Sequence, residues 1–252
     1  MKYLEKMDII YAADLFCGAG GTTTGLRLTC DRLKRKLWML ALNHWKVAVA
    51  SHKANHPDVR HICESIDSVD PRKAVPGGYL DILMASPECT FFSTARGGRP
   101  CSDQSRATSW HVLRWCDALE VDNVLIENVK EFRYWGPLGE DGRPLKRRRG
   151  ETYQAFLTAL RSLNYTIEEK VLNAADYGGA TTRERLFILA RRGGRKTIHW
   201  PERTHAPAET LTLLGKRLKP WRAAREIIDW DLAGQSIFNR KKPLSQNTMR
   251  RI

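Results

Sequence analysis

The residues here with the means to do chemistry are a cysteine in Ser86-Pro87-Glu88-Cys89, a carboxylate in Glu127-Asn128-Val129, and two arginines, Arg183 and Arg185. A cysteine on a loop at a strand end can be exposed, and nearby cations can lower its pKa to give a nucleophilic thiolate. Taken alone, Cys89 also reads as an inert small hydrophobe, and Glu127 as a cap or an ion-pair partner. Arg183 and Arg185 share a face in an extended segment and could grip a phosphate and a base together. They could equally decorate a surface strand of a basic protein.

A second kind of site precedes these. The apolar run through Ile9-Ile10-Tyr11-Ala12 has the pattern of a buried strand and leads into Ala13-Asp14-Leu15-Phe16-Cys17-Gly18-Ala19-Gly20-Gly21. The run Thr22-Thr23-Thr24 then opens a helix, with threonines expected at its cap. Strand, glycine turn, helix is how an open α/β sheet begins and where it places a nucleotide-like ligand. The glycines are crowded together, so the turn lacks the Gly-x-Gly-x-x-Gly spacing of dinucleotide folds.

The elements that must position these groups follow in order. Strands are expected at 37–42, 59–63, 80–85 and 123–126, with helices at 46–55, 108–119 and 152–163. Two further strands, 165–172 and 185–190, flank Asp176 to Glu184. The chemistry collects where strands end: the glycine turn, Asn43-His44-Trp45, Ser65-Ile66, Cys89 and Glu127. In an open α/β sheet that edge is the ligand crevice, so one crevice could hold an adenosyl-type cofactor, a thiol and a carboxylate. Trp45 could pack on a purine, and a polar residue before it could meet ribose hydroxyls.

The bulk composition is compatible with one large domain. The chain has 252 residues, of which 42% are hydrophobic, and the six cysteines include no Cys-x-x-Cys pair. Free thiols in a cytoplasmic protein fit better than a disulfide or zinc scaffold. No apolar run is long enough for a bilayer. Lys and Arg number 42 against 28 Asp and Glu, a net charge of +14 that suits a polyanion such as nucleic acid. The run Lys146-Arg147-Arg148-Arg149 lies in a loop from Gly136 to Gly150; it reads either as a solvated cationic tip or as a phosphate contact.

Taken together, these segments resemble the C5-type cytosine methyltransferases that use S-adenosylmethionine. Asp14 to Gly21 is similar to that family's first motif, and Ser86 to Ser93 to its Pro-Cys-Gln motif. Glu127-Asn128-Val129 matches its Glu-Asn-Val triplet, and Val171 to Phe187 resembles its Gln-x-Arg-x-Arg region. The resemblance runs from about Ile9 to Leu189, with a looser echo through Arg225 to Asp229. It implies a Rossmann-like α/β fold, a mostly parallel twisted sheet with helices on both faces. Residues 1–192 would form the catalytic domain. Residues 193–252 would be a basic, irregular extension leading toward a target-recognition domain not visible before Ile252.

The resemblance also implies roles. Cys89 is the nucleophile, Glu127 engages N3 and the exocyclic amine of cytosine, Arg185 holds O2, and Arg183 lies near the phosphate. The cofactor, S-adenosylmethionine, lies along Asp14, Phe16, Cys17, Gly18, Ala19, Gly20, Gly21, His44, Trp45, Ser65, Ile66, Ser86 and Pro87, and no metal is expected. Ser93, Arg96 and Arg99 meet nucleic acid as their loop closes over a flipped base. The implied partner is double-stranded DNA, bound by a monomeric, cytoplasmic, restriction-modification or phage-type enzyme. A recognition domain would act in cis or in trans.

The chain departs from the family pattern at several points. Glu88 stands where a proline usually precedes the cysteine, and Thr90 where glutamine follows. His44 replaces the acid that commonly holds ribose, Ser65 the aspartate that meets the adenine amine, and Thr181 the glutamine before the arginines. An anion at position 88 opposes thiolate formation. An RNA cytosine methyltransferase on the same scaffold, or a non-catalytic cofactor- or DNA-binding module, remain alternative readings.

Overall fold

The computed structural model describes residues 8–88, 107–194, 197–208, 210–211 and 217–233, and near the end 236, 238, 241 and 243–250. By their contacts these residues form two units, one of Met1–Asn173 with Arg183–Glu202, the other of Ala174–Thr182 with Arg203–Ile252.

The first unit is built on seven strands: β1 (Ile9–Leu15), β2 (Lys36–Leu42), β3 (Arg60–Ile62), β4 (Tyr79–Ala85), β5 (Glu120–Asn128), β6 (Tyr165–Asn173) and β7 (Glu184–Arg192). They lie in the order β3-β2-β1-β4-β5-β7-β6. Strands β1 to β5 pair in parallel, and β7 is inserted antiparallel between β5 and β6. The sheet is therefore mostly parallel, as expected. The order reverses at β1: the chain builds outward through β2 and β3, then returns to lay β4 on its other side. Ligand crevices open at such a reversal, outside the C-terminal strand ends.

Alternation along the strands feeds two cores. Ala13, Leu15, Leu40, Leu42, Leu83 and Ala85 point to one face, and Ala12, Met39, Ala41 and Met84 to the other. Central strands buried on both faces read as continuous apolar runs, which is why the sequence announced them so plainly. Helices α1 (Gly21–Arg32), α2 (Lys46–Asn55), α3 (Pro71–Ala74), α4 (Trp110–Ala118) and α5 (Glu151–Ser162) connect the strands. On α4 the expected stripe Val112, Trp115, Cys116 and Leu119 is buried. With α5 it covers the first face, while Leu26 of α1 packs on the second. No helix among the described residues is long and apolar enough to cross a membrane.

The second unit carries a small sheet of β8 (His205–Ala206), β9 (Thr210–Leu211) and β10 (Arg217–Pro220), in the order β8-β10-β9. Its fixed point is the buried Asp176, which accepts a bond from Trp221 Nε1 at 3.1 Å and pairs with Arg203 at 3.2 Å.

The threonine cap expected for α1 is not the one used. Gly20 is the cap residue, with φ 95 and no side-chain bond to the helix. Left-handed backbone strains any residue with a Cβ, so glycine takes the position. The Thr24 hydroxyl instead donates back to the Gly20 carbonyl at 2.9 Å, and Thr23 is turned inward to Asp14.

Candidate active site

The glycine turn is held in shape from below. Phe16 and Gly18 also take positive φ, 65° and 52°. Phe16 and Cys17 N–H groups both donate to the Leu42 carbonyl, tying the turn to the end of β2. From α2 and the residue after it, Asn55 Nδ2 donates to the Ala19 carbonyl at 2.9 Å, and His56 Nε2 lies 3.2 Å from the Gly20 carbonyl. A Cβ on Gly20 would stand 2.6 Å from the His56 ring. Gly20→Ala is accordingly expected to destabilise the protein by about 2–4 kcal/mol, combining left-handed strain with overpacking. It should also weaken cofactor binding; denaturant unfolding and calorimetric titration measure the two effects.

Beneath the turn runs a buried polar chain. Thr23 Oγ1 donates to Asp14 Oδ2 at 3.0 Å and lies 3.0 Å from His52 Nε2, and His52 Nδ1 lies 2.9 Å from His61 Nε2. With Thr23 donating to Asp14, His52 donates from Nε2 and accepts at Nδ1 from His61, so neutral imidazoles satisfy every link. Burial, aided by the neighbouring His61 and His56, pushes His52 down to about 4. Burial pushes the Asp14 carboxyl up to about 7, with the Thr23 bond opposing it.

The sign of the pH effect follows from these shifts. Folded Asp14 keeps a proton that the unfolded chain has released above its ordinary 3.8. Its stabilising contribution is therefore complete below that value and is lost as pH rises through about 7. His52 acts in the opposite sense, losing its contribution as pH falls from 6.5 toward about 4. Asp14→Asn should remove the loss on the alkaline side. Melting midpoints of variant and wild type, compared from about pH 5 to about pH 8, should diverge in the variant's favour as pH rises.

The next strand ends offer weaker purchase. His44 and Trp45 are both exposed, Trp45 at 60%. Asn43 Oδ1 accepts from the Trp45 N–H and fixes the bend between β2 and α2. Ser65 is exposed and Ile66 is buried. The Ser65 hydroxyl bonds Asp67 and holds its carboxyl below the usual range. The loop is clamped by Arg114 of α4, whose guanidinium donates to the carbonyls of Ile66, Asp67 and Val69. Local pattern does not mark Arg114, since a lone arginine on a helix carries no motif.

Across the sheet reversal, the Ser86 N–H donates to the Leu15 carbonyl, seating the end of β4 beside the glycine turn. Asn128 Nδ2 donates to the Pro87 carbonyl at 3.2 Å, and its Oδ1 accepts from the Val129 N–H. The middle residue of the Glu-Asn-Val triplet thus holds the peptide that leads to Glu88 and Cys89. Cys89 itself, with Ser93, Arg96 and Arg99, lies outside the described residues.

Glu127 and Arg185 meet. Antiparallel register sets Glu127 opposite Phe187, so Arg185, two residues before it, lies on the diagonal. Arg185 Nε stands 3.0 Å from Glu127 Oε1, both side chains partly buried. Burial raises the Glu127 carboxyl above the ordinary carboxylate range, and the charges of Arg185 and Arg183 oppose the shift. Arg183 is exposed just before β7.

A cavity of ≈ 420 Å³ joins the two halves of the site, lined by Gly21, Thr22, Ala85, Ser86, Leu125, Glu127 and Phe187. The residues present fit S-adenosylmethionine in kind. Asp14 Oδ1 is buried with no hydrogen-bond partner. A Cβ on Gly18 or Gly21 would meet nothing within 4 Å, so the turn faces open space. Cys17 serves here as backbone, its thiol buried and pushed up to about 12. No group of three or more His, Cys, Asp or Glu among the described residues is placed to hold a metal ion.

A mostly parallel seven-stranded sheet with one antiparallel strand, crossed by helices on both faces, is the fold of S-adenosylmethionine-dependent methyltransferases. A solved DNMT2 variant from Spodoptera frugiperda superposes with a TM-score of 0.63 at 22% identity, covering 89% of this chain and 61% of that one. Residues 10–224 match the C-5 cytosine-specific DNA methylases, and the chain belongs to that family. It is 30% identical over 197 residues to the type II methyltransferase M.AgeI of Thalassovita gelatinovora, covering 76% of this chain and 42% of that protein. It is 28% identical over 222 residues to the type II methyltransferase M.AquIA of Picosynechococcus, covering 85% of this chain and 86% of that one.

Proposed function

We propose that this chain is the catalytic part of a DNA (cytosine-5)-methyltransferase. The observation that carries the proposal is the single cavity shared by the glycine turn, the end of β4 and Glu127. A base-binding carboxylate and a nucleotide-type turn open into one space, with Arg185 holding the carboxylate in place.

In this reading the cofactor lies along the turn from Phe16 to Gly21, toward Trp45 and Ile66, with Asp14 beneath. S-adenosylmethionine, when bound, supplies an electrophilic methyl group. Cytosine C5 is a poor nucleophile unaided. The Cys89 sulfur adds to C6 of a flipped-out base, and the electron density this delivers makes C5 the acceptor carbon. Glu127, with its raised pKa, holds a proton at N3 and so offsets the charge that builds on the ring. Arg185 steadies Glu127 and reaches toward O2. Loss of the C5 proton then lets the sulfur leave and restores the ring. Glu88 beside the thiol raises the cost of forming the thiolate. We place the protein in the cytoplasm, acting as a monomer on double-stranded DNA, with base reading supplied by a recognition domain in cis or in trans.

The test uses labelled S-adenosylmethionine with the chain and either duplex DNA or transfer RNA, together with a duplex carrying 5-fluorocytosine. Label in duplex DNA and a denaturant-stable protein–DNA adduct are expected. Label in RNA alone would reassign the substrate. No adduct, even with a recognition domain added in trans, would leave only a binding module.

A further inference from the structure

Resting on the reading above, we propose that the loop Gly136–Gly150 is a phosphate-gripping surface for the backbone of duplex DNA beside the catalytic crevice. The loop leaves the C-terminal end of β5 through a 3₁₀ turn, Lys130–Tyr134. Because β1, β4 and β5 are parallel, that is the sheet edge that carries the glycine turn and Glu127.

The loop is a built structure. Phe132 and Trp135 at its base are buried and pack with Trp110, Tyr153 and Phe156. Its arms are bridged at Leu138 and Pro144, and joined by Gly139 N to the Arg143 carbonyl and Leu145 N to the Pro137 carbonyl. Gly136 is pressed so closely on the returning arm that a Cβ would stand 2.2 Å from the Arg148 carbonyl. Such a scaffold holds its side chains out at low entropic cost on binding.

What it holds out is positive. Arg143, Lys146, Arg147, Arg148 and Arg149 are all exposed. Arg148 is neutralised by Glu151, and Arg149 lies 3.5 Å over the Tyr134 ring. Arg143, Lys146 and Arg147 have no carboxylate within ion-pair distance among the described residues. The tip carries Glu140 and Asp141, but Asp141 Oδ1 is turned in to accept from the Arg143 N–H and caps the turn. Three cations without an ion-pair partner among the described residues, carried on one hydrogen-bonded loop, suit a row of phosphates. Each phosphate contact would release a counterion and add to the salt dependence of binding.

The test compares the wild-type chain with the triple variant Arg143→Ala, Lys146→Ala, Arg147→Ala. The control is Arg32→Ala, Lys34→Ala, Lys36→Ala, which removes the same charge from the opposite sheet edge. Affinity for a fluorescent DNA duplex is measured against salt. The loop variant should lose on the order of 10- to 100-fold in affinity at low salt, and its log–log slope should shrink by about 2.7, three contacts at ~0.9 each. The control should change much less. S-adenosylmethionine affinity and the melting midpoint should match wild type in both. An unchanged slope, or an equal loss in the control, would overturn the loop assignment. Loss of transfer RNA affinity with duplex affinity intact would overturn the choice of partner. Adduct formation with the 5-fluorocytosine duplex is scored in parallel. A normal adduct with an unchanged slope sinks the loop proposal alone, whereas absence of any adduct in wild type sinks the catalytic reading on which it rests.

Discussion

Replacing Cys89 by alanine is expected to abolish methylation of duplex DNA while cofactor binding persists. If the sulfur supplies the electrons that make C5 reactive, neither of the other two groups assigned to the base can replace it. Glu127 is an acid–base group, and Arg185 has no nucleophilic electron pair at neutral pH. A fall of at least about 10⁴-fold in turnover is expected, because most of the acceleration would run through the covalent route. The Cys89→Ala protein should still bind S-adenosylmethionine like wild type in calorimetric titration, since the glycine turn is fixed by Leu42, Asn55 and His56. It should give no adduct with a 5-fluorocytosine duplex. Retained turnover would refute the assignment of the nucleophile.

The second large effect is expected for Glu127→Gln. Glutamine keeps the size and one carbonyl acceptor but cannot hand a proton to N3. Turnover should drop by about 100- to 10,000-fold, the usual worth of a positioned acid–base group. The loss should appear mainly in kcat, because the charge it offsets develops during the reaction. The wild-type pH profile carries a further mark. Glu127 is needed protonated, and its carboxyl lies above the ordinary range. Activity should therefore fall as pH rises through that elevated value, and the Gln variant should lack this limb. Some destabilisation should accompany the change, since Arg185 keeps its charge in a partly buried place and loses its carboxylate. Steady-state kinetics over a pH series, with denaturant unfolding beside them, separate the catalytic from the structural loss.

Much of the scaffold was legible because central parallel strands are apolar on both faces. The run through Ile9-Ile10-Tyr11-Ala12 and the runs 37–42 and 80–85 stood out, within strands that extend to Ile9–Leu15, Lys36–Leu42 and Tyr79–Ala85, and their ends marked the crevice. Strands run past their apolar stretches where they leave the core. β5 extends from Glu120 to Asn128, beyond the apolar stretch 123–126, because it pairs along its length with β4 and β7. Ladder bonds hold polar residues in a strand that their own pattern would not announce.

The site divides in the same way. Glu127 and Arg185 were visible as residue types in motifs. That they form one ion pair follows from the antiparallel insertion of β7, a partnership across 58 positions that no local spacing records. Arg114, the His52–His61 pair and the bonding role of Asn128 within its triplet escape local pattern for that reason. Each acts by bonding a backbone or side-chain group far away in the chain or on another element.

Composition and local pattern alone determined a basic α/β protein with a glycine turn, a cysteine, an acid and two arginines at strand ends. Those features depend on neighbours within a few residues, where periodicity and turn chemistry operate. The tertiary structure alone decided which strand ends face one another, which polar atoms are buried, and so where pKa values move. Burial of Asp14 and desolvation of Glu127 arise only when distant segments close over them, because the cost of a charge is set by everything packed around it.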